Sequence, residues 1–185
     1  RETATACFAS RAGDLDLLVG DADGLLNYIE NTGTSTAPVF VQRTGSANPF
    51  DGIDVGSDSA PAFADIDGDS TLRPRHLTRA TQLTFLSLAG DLDLAVGGAN
   101  GTIIYYENTG TAESPEYNAG VSPFAFVDVY ANSAPAFCDL DGDDRPDLLV
   151  GGSKIHPDEY AGGLPGFFNG GFYYYENTGA VAPEF

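Results

Sequence analysis

The chain has 185 residues, enough to bury a hydrophobic core, and its 42% apolar and 19% charged residues argue against disorder. Its 27 acidic and 8 basic residues give a formal net charge of −19, which makes nucleic acid and anionic membranes poor partners. No apolar stretch approaches the ~18 residues of a membrane-spanning helix, so no direct membrane insertion is expected. The 23 glycines and 11 prolines separate short apolar runs, a pattern typical of an all-β chain.

Three similar units follow one another in what we treat as a single repeat domain over 1–185, and we place them at 13–58, 59–132 and 133–185. Each unit is predicted to contain a strand, a tight turn and a second strand that ends in Asn-Thr-Gly. The predicted first strands begin at Leu15, Leu92 and Asp147, and the Asn-Thr-Gly triplets begin at Asn31, Asn108 and Asn177. A Pro-x-aromatic triplet at 38–40, 115–117 and 183–185 starts a further strand. Repetition of one supersecondary unit predicts an array of similar sheets.

Three stretches depart from the repeat, at 1–12, 70–89 and 153–171. The insertion at 70–89 interrupts an acidic loop and carries several of the basic residues. For 1–12 and 70–89 two interpretations stay open: unspliced or misassigned gene segments, or real excursions that contact a partner. The stretch 153–171 is rich in glycine and aromatic residues, and we predict a long loop there.

An acidic phrase occurs twice, at Ser59–Asp69 and at Ser133–Asp143. In the second copy, carboxylates stand at loop positions 1, 3, 5 and 9, and a backbone carbonyl stands at position 7. These residues are Asp139, Asp141, Asp143 and Asp147, with the carbonyl of Arg145. Oxygen-only ligands of this kind favour Ca²⁺ over Mg²⁺. An EF-hand is disfavoured because no helical pattern flanks the loop and no glutamate stands at position 12. The alternative is a solvated acidic turn without metal.

The chain resembles the FG-GAP/VCBS repeat family, the calcium-loop β-propeller blades of integrin α chains and many secreted proteins. The matching segments begin at Phe63, Leu92 and Tyr105, and the resemblance covers about 13–69, 90–152 and 172–185. It implies blades of four antiparallel strands, with Ca²⁺ in the loop between the first two strands. The predicted fold is therefore all-β, with about three β-propeller-type blades that form a partial propeller or a fragment of one.

The resemblance also implies which residues bind metal in each unit. In the third unit the ligand set is complete. In the second unit it consists of Asp65, Asp67, Asp69 and Asp93, with the carbonyl of Asp91, provided that the insertion 70–89 loops out and returns. The first unit retains only Asp14 and Asp16 and is not expected to bind metal.

Other candidate sites are weaker. The aromatic runs Phe172–Tyr175 and Tyr105–Tyr106 are interpreted as core with a solvent-facing ring, and a platform for sugar rings is the alternative. His76 and His156 have no ligand partners at suitable spacing. Cys7 and Cys138 show no metal spacing, and a disulfide between them stays open. Asn100–Thr102 fits the N-glycosylation sequon. No Ser-His-Asp set or phosphate-binding glycine loop can be assembled, so no enzymatic activity is predicted.

These observations predict a non-catalytic, calcium-stabilised binding or structural module that acts in an extracellular, cell-surface or luminal environment. Its partner would be a protein or a glycan bound at the loop-bearing face. One alternative is the accessory propeller of a secreted enzyme, such as a polysaccharide lyase or a phosphohydrolase. Another is a peripheral subunit of a large assembly, in which the insertions dock. No signal peptide begins at Arg1, so a mature form or a fragment of a larger chain is expected.

Overall fold

The structure is a computed structural model that describes residues 4–9, 14–66, 92–111, 114–143, 145–154 and 169–179. These residues form eleven β-strands and one short 3-10 helix, Gly45–Ala47. No helix in the described ranges has the length and apolar character needed to cross a membrane. The prediction of an all-β chain is confirmed.

The strands form three antiparallel sheets in which neighbours in sequence are neighbours in space. Sheet 1 contains β1 (Thr5–Ala9), β2 (Leu15–Gly20), β3 (Leu26–Asn31) and β4 (Phe40–Arg43). Sheet 2 contains β5 (Ala60–Ala64), β6 (Asp93–Gly97), β7 (Ile103–Asn108) and β8 (Tyr117–Ala119). Sheet 3 contains β9 (Ala134–Cys138), β10 (Asp147–Lys154) and β11 (Asn169–Tyr175). Three such sheets are compatible with a partial β-propeller.

Sheet 2 lies between the other two sheets, and a hydrophobic core fills each of the two interfaces. The core between sheets 1 and 2 includes Leu18, Leu26 and Tyr28 from sheet 1 and Phe63, Leu94 and Val96 from sheet 2. The core between sheets 2 and 3 includes Ala95, Ile103 and Tyr105 from sheet 2 and Leu148 and Val150 from sheet 3. All five residues of β6 are therefore buried, whereas burial alternates along β2, which is covered on one face.

The segments that connect the sheets contribute to these cores. After β4, Phe50 and Ile53 enter the core between sheets 1 and 2, and after β8, Phe124 and Val127 enter the core between sheets 2 and 3. Phe50 and Phe124 are each only 1% exposed. Each connecting segment is thus part of the interface that it spans.

Strands extend into two of the stretches that depart from the repeat in sequence. Thr5–Ala9 lies within the stretch 1–12 that is unlike the repeat, yet it forms β1 and pairs with β2. The predicted loop 153–171 is too long at both ends, because β10 and β11 pair through Ser153 with Gly170 and Gly152 with Gly171. Both strands extend into this glycine-rich stretch because the antiparallel ladder is held by backbone hydrogen bonds, which do not depend on the side chains. The insertion 70–89 lies outside the described residues.

Candidate metal centre

The predicted loop of the third unit joins β9 to β10 and folds back on its first residue. Oδ1 of Asp139 accepts hydrogen bonds from the backbone N–H groups of Gly142, at 2.7 Å, and of Asp143, at 3.1 Å. Gly142 has a φ of +86°, a left-handed conformation that glycine adopts without steric cost. The sharp turn expected at this glycine is therefore present.

Three of the predicted ligands converge. One carboxylate oxygen from each of Asp139, Asp141 and Asp147 lies within 4.8 Å of the other two. Three anionic oxygens this close to one another could hold a hard divalent cation.

Asp147 has structural partners as well as a place in this cluster. It is fully buried, Oδ1 accepts the backbone N–H of Asn177 at 2.9 Å, and Oδ2 accepts the hydroxyl of Tyr174 at 3.1 Å. Oδ2 also accepts the backbone N–H of Leu140 at 3.0 Å, which ties the loop to the start of β10. A buried carboxylate needs such donors because burial without them is costly.

The cluster does not include Asp143, although its position in the loop predicts a ligand. Its Oδ2 forms an ion pair with Nη2 of Arg145, and its Oδ1 accepts the backbone N–H of Arg145 at 2.9 Å. Nε of Arg145 donates to the backbone oxygen of Asn177 at 2.8 Å. The Arg145 side chain thus links the loop to the end of β11 and balances one of the acidic charges. Ligand roles for Asp143 and for the Arg145 carbonyl stay predictions.

The carboxylates of the loop repel one another. Desolvation and the negative charges of Asp143, Asp147 and Asp139 raise the pKa of Asp141, against a lowering by the hydrogen bond from the backbone of Asp143. A carboxylate whose charge is disfavoured in this way gains from a nearby positive charge. A divalent cation would offset the repulsion among these carboxylates.

The second unit repeats part of this arrangement. Asp93 is 1% exposed, and its Oδ1 accepts the backbone N–H of Asn108 at 2.8 Å. Its Oδ2 accepts the hydroxyl of Tyr105 at 3.1 Å and the backbone N–H of Ile66 at 3.2 Å. Asp65 is half-buried at the end of β5. The other predicted ligands of this unit, Asp67, Asp69 and Asp91, lie outside the described residues, so its metal site stays a prediction.

The first unit keeps the buried aspartate without the acidic loop phrase. Oδ1 of Asp16 accepts the backbone N–H of Asn31 at 2.7 Å, and its Oδ2 accepts the hydroxyl of Tyr28 at 2.6 Å. Burial and this hydrogen bond raise the pKa of the Tyr28 hydroxyl. Sequence reasoning missed the aspartate, tyrosine and asparagine as a network. The sequence signal that could have revealed this network is that the three residue types recur at equivalent positions in every unit.

The remaining candidates have separate outcomes. Tyr105 is buried in the core, whereas Phe172 and Tyr174 on β11 are 76% and 43% exposed. Cys138 is a free, partly buried thiol. Asn100 is exposed at the turn between β6 and β7. The two histidines lie outside the described residues.

Comparison with known proteins matches residues 89–150 to the FG-GAP-like repeat. The matched segment runs from just before β6 into β10 and contains the acidic loop of the third unit. The resemblance noted from the sequence is therefore confirmed over this part of the chain. No curated protein and no solved structure gives a significant match to the chain.

Proposed function

Because residues 89–150 match the FG-GAP-like repeat, we propose that the chain is a non-catalytic binding or structural module stabilised by Ca²⁺. The observation that carries this proposal is the convergence of Asp139, Asp141 and Asp147 within 4.8 Å. Side-chain oxygens alone form the cluster, which is the ligand chemistry of Ca²⁺.

The metal would act on the fold rather than on a substrate. Asp147 already joins β10 to the end of β11 through its hydrogen bond with Asn177. An ion held by Asp147 and by Asp139 and Asp141 would attach the exposed loop to this buried junction. At free Ca²⁺ of ~100 times the dissociation constant, such a site adds about 2.7 kcal/mol to the free energy of unfolding. Total stabilities are typically only about 5–15 kcal/mol, so the effect is measurable.

The test compares the melting temperature of the full chain in Ca²⁺, in Mg²⁺ and in excess chelator, together with calorimetric titration of Ca²⁺. The test variant is Asp139→Asn/Asp141→Asn, which removes two negative charges from the cluster. The matched control is Asp51→Asn/Glu116→Gln, which removes two negative charges from exposed positions outside the loop. The expected result is stabilisation by Ca²⁺ in the wild type and the control, with weaker stabilisation by Mg²⁺ and a reduced calcium effect in the test variant.

Two outcomes would contradict the proposal. Equal melting temperatures in Ca²⁺ and chelator would mean that the loop is a solvated acidic turn. A calcium effect that survives unchanged in Asp139→Asn/Asp141→Asn would place the stabilising ion elsewhere in this acidic chain. The control variant shows whether a reduced calcium effect is specific to the cluster or follows from any decrease in the net charge of −19.

We further propose that the module acts in an extracellular, cell-surface or luminal environment and binds a protein or a glycan. Exposed loop sites of this kind with dissociation constants of ~10⁻⁴–10⁻³ M are filled where calcium is abundant, outside the cytosol. The excess of 27 acidic over 8 basic residues disfavours phosphate backbones as ligands. Screening immobilised glycans with the full chain, in Ca²⁺ and in chelator, tests the glycan class. Calcium-dependent retention that the Asp139→Asn/Asp141→Asn variant loses would support it.

A further inference from the structure

The two interfaces inside the chain use equivalent positions, because the strand registers of the three sheets correspond. Each interface joins what we call the forward face of one sheet to the rear face of the next. The forward faces are formed by Leu18, Leu26 and Tyr28 in sheet 1 and by Ala95, Ile103 and Tyr105 in sheet 2. The rear faces are formed by Leu94, Val96 and Tyr106 in sheet 2 and by Leu148, Val150 and Tyr175 in sheet 3. The same apolar surfaces therefore meet twice.

The rear face of sheet 1 has the same character without a neighbouring sheet among the described residues. By strand register, Leu17, Val19 and Ile29 take the places of Leu94, Val96 and Tyr106. Leu94 and Val96 are 0% exposed, whereas Leu17 and Val19 are only half-buried. Phe40 is 49% exposed, although its equivalent, Tyr117, stacks on Phe50 with ring centroids 4.9 Å apart.

The forward face of sheet 3 also exposes side chains whose equivalents in sheet 2 are buried. Phe172 and Tyr174 take the places of Ile103 and Tyr105 of sheet 2, each of which is 5% exposed. Phe172 is instead 76% exposed and Tyr174 is 43% exposed. Large apolar side chains at positions that are buried elsewhere in the same molecule indicate an interaction surface.

We propose that the forward face of sheet 3 docks on the rear face of sheet 1 of a second copy of this chain. The argument is continuity with the two interfaces already present, since each open face repeats one side of them. The contact is heterologous, and such contacts give a closed ring if the rotation closes. Two copies would bring six sheets together, within the range of about four to eight blades found in closed propellers. This inference is independent of calcium binding.

The intermolecular interface is expected to be weaker than the internal ones. Each internal interface also holds a phenylalanine from the segment that connects its two sheets, Phe50 or Phe124. No connecting segment joins two separate copies. The net charge of −19 also opposes association of like molecules, and salt screens this repulsion within ~8 Å at physiological ionic strength. Association should therefore depend on concentration and strengthen with salt.

The test measures the mass of the full chain in solution by sedimentation velocity over a range of concentrations centred on the micromolar region. The two test variants are Phe40→Glu, on the rear face of sheet 1, and Phe172→Glu, on the forward face of sheet 3. The control is Val121→Glu, which changes a side chain that is 96% exposed and belongs to neither face. Circular dichroism checks that each variant keeps its β structure.

The expected result is a dimer or a larger closed ring for the wild type and the control. Each test variant alone should be monomeric, because each has one damaged face. An equimolar mixture of the two should associate again, because the intact forward face of Phe40→Glu meets the intact rear face of Phe172→Glu. A wild type that stays monomeric throughout overturns the proposal, and would leave these faces to a different partner. Association of either variant alone, or none in the mixture, would also overturn it by excluding head-to-tail contact. If a variant fails to fold, the wild-type mass alone decides.

Discussion

Oδ1 of Asp147 accepts a hydrogen bond of 2.9 Å from the backbone N–H of Asn177, 30 residues further along the chain. The same bond joins Asp16 to Asn31 and Asp93 to Asn108, where the separation is 15 residues in both cases. The longer separation in the third unit reflects the insertion between β10 and β11. The aspartate at the ninth loop position is thus a structural residue in every unit, and its hydrogen bond to the asparagine does not depend on the acidic loop before it.

Substituting Asp16 should destabilise the fold independently of calcium. Asp16→Asn replaces one of the two buried acceptor oxygens with a donor, and the hydroxyl of Tyr28 and the backbone N–H of Asn31 compete for the other. A buried polar group left without its partner costs about 1–3 kcal/mol. Urea unfolding should show this loss equally in Ca²⁺ and in chelator, with Asp51→Asn as the control. A loss seen only in Ca²⁺ would show that Asp16 takes part in a metal site.

The hydroxyl of Tyr28 should remain protonated well above the pH at which an ordinary tyrosine ionises. Burial, the hydrogen bond to Asp16 and the Asp16 charge raise its pKa in the folded state. Its contribution to stability is therefore complete below the unfolded pKa of ~10 and is lost only as the pH rises through the raised folded value. The tyrosinate absorbance of the wild type and of Tyr28→Phe should agree up to that region while the fold persists. A difference of one tyrosine near pH 10 would contradict the buried hydrogen bond.

Much of the fold could be predicted because its signals are local. The alternation of apolar residues that begins at Leu15 predicts β2, and the turn residues at Asn100-Gly101 predict the hairpin between β6 and β7. β1 was not predicted as a strand of the repeat, because the acidic phrase that follows β5 and β9 in the sequence does not follow Thr5–Ala9. Its place is determined by pairing with β2, a contact that no local pattern encodes.

The part of the candidate site that could be predicted from the sequence also has local signals. The spacing of Asp139, Asp141 and Asp147 brings their oxygens together within one loop, which sequence reasoning captures. The ion pair between Asp143 and Arg145 could not be predicted from their spacing. The same spacing also places the Asp143 carboxylate and the Arg145 carbonyl at metal-ligand positions of the loop. The connection of Asp147 to Asn177 spans an insertion, so it depends on strand pairing rather than on sequence distance.

A methyl group at Gly97 should destabilise the junction between sheets 2 and 3. A Cβ built there lies 2.1 Å from the backbone oxygen of Ser133, which is far inside contact distance. Ser133 cannot easily move, because its hydroxyl donates to the backbone oxygen of Thr102 at 2.6 Å and accepts the N–H of Gly98 at 2.9 Å. Overpacking of this kind costs about 1–3 kcal/mol. Urea unfolding of Gly97→Ala should show that loss.

Gly171→Ala is the matched control for this substitution, since a Cβ at this strand glycine has nothing within 4 Å. It should change the free energy of unfolding by less than the Gly97 substitution does. Equal effects of the two would mean that glycine flexibility, rather than the contact with Ser133, determines the loss.

Truncation of Phe124 should test whether the connecting segments hold the sheets together. Phe124 packs edge-on against Tyr105 of sheet 2, with ring centroids 6.2 Å apart, and lies 5.7 Å from the ring of Phe137 of sheet 3. Because it is 1% exposed, Phe124→Ala leaves a cavity that both sheets border, and such changes cost about 3–5 kcal/mol. Phe126→Ala, at a side chain that is 50% exposed, should cost much less. Thermal and urea unfolding compare the two, and a similar loss in both would show that the segment acts through its own local structure. A large loss confined to Phe124→Ala would instead mean that the interface between sheets depends on the segment that connects them.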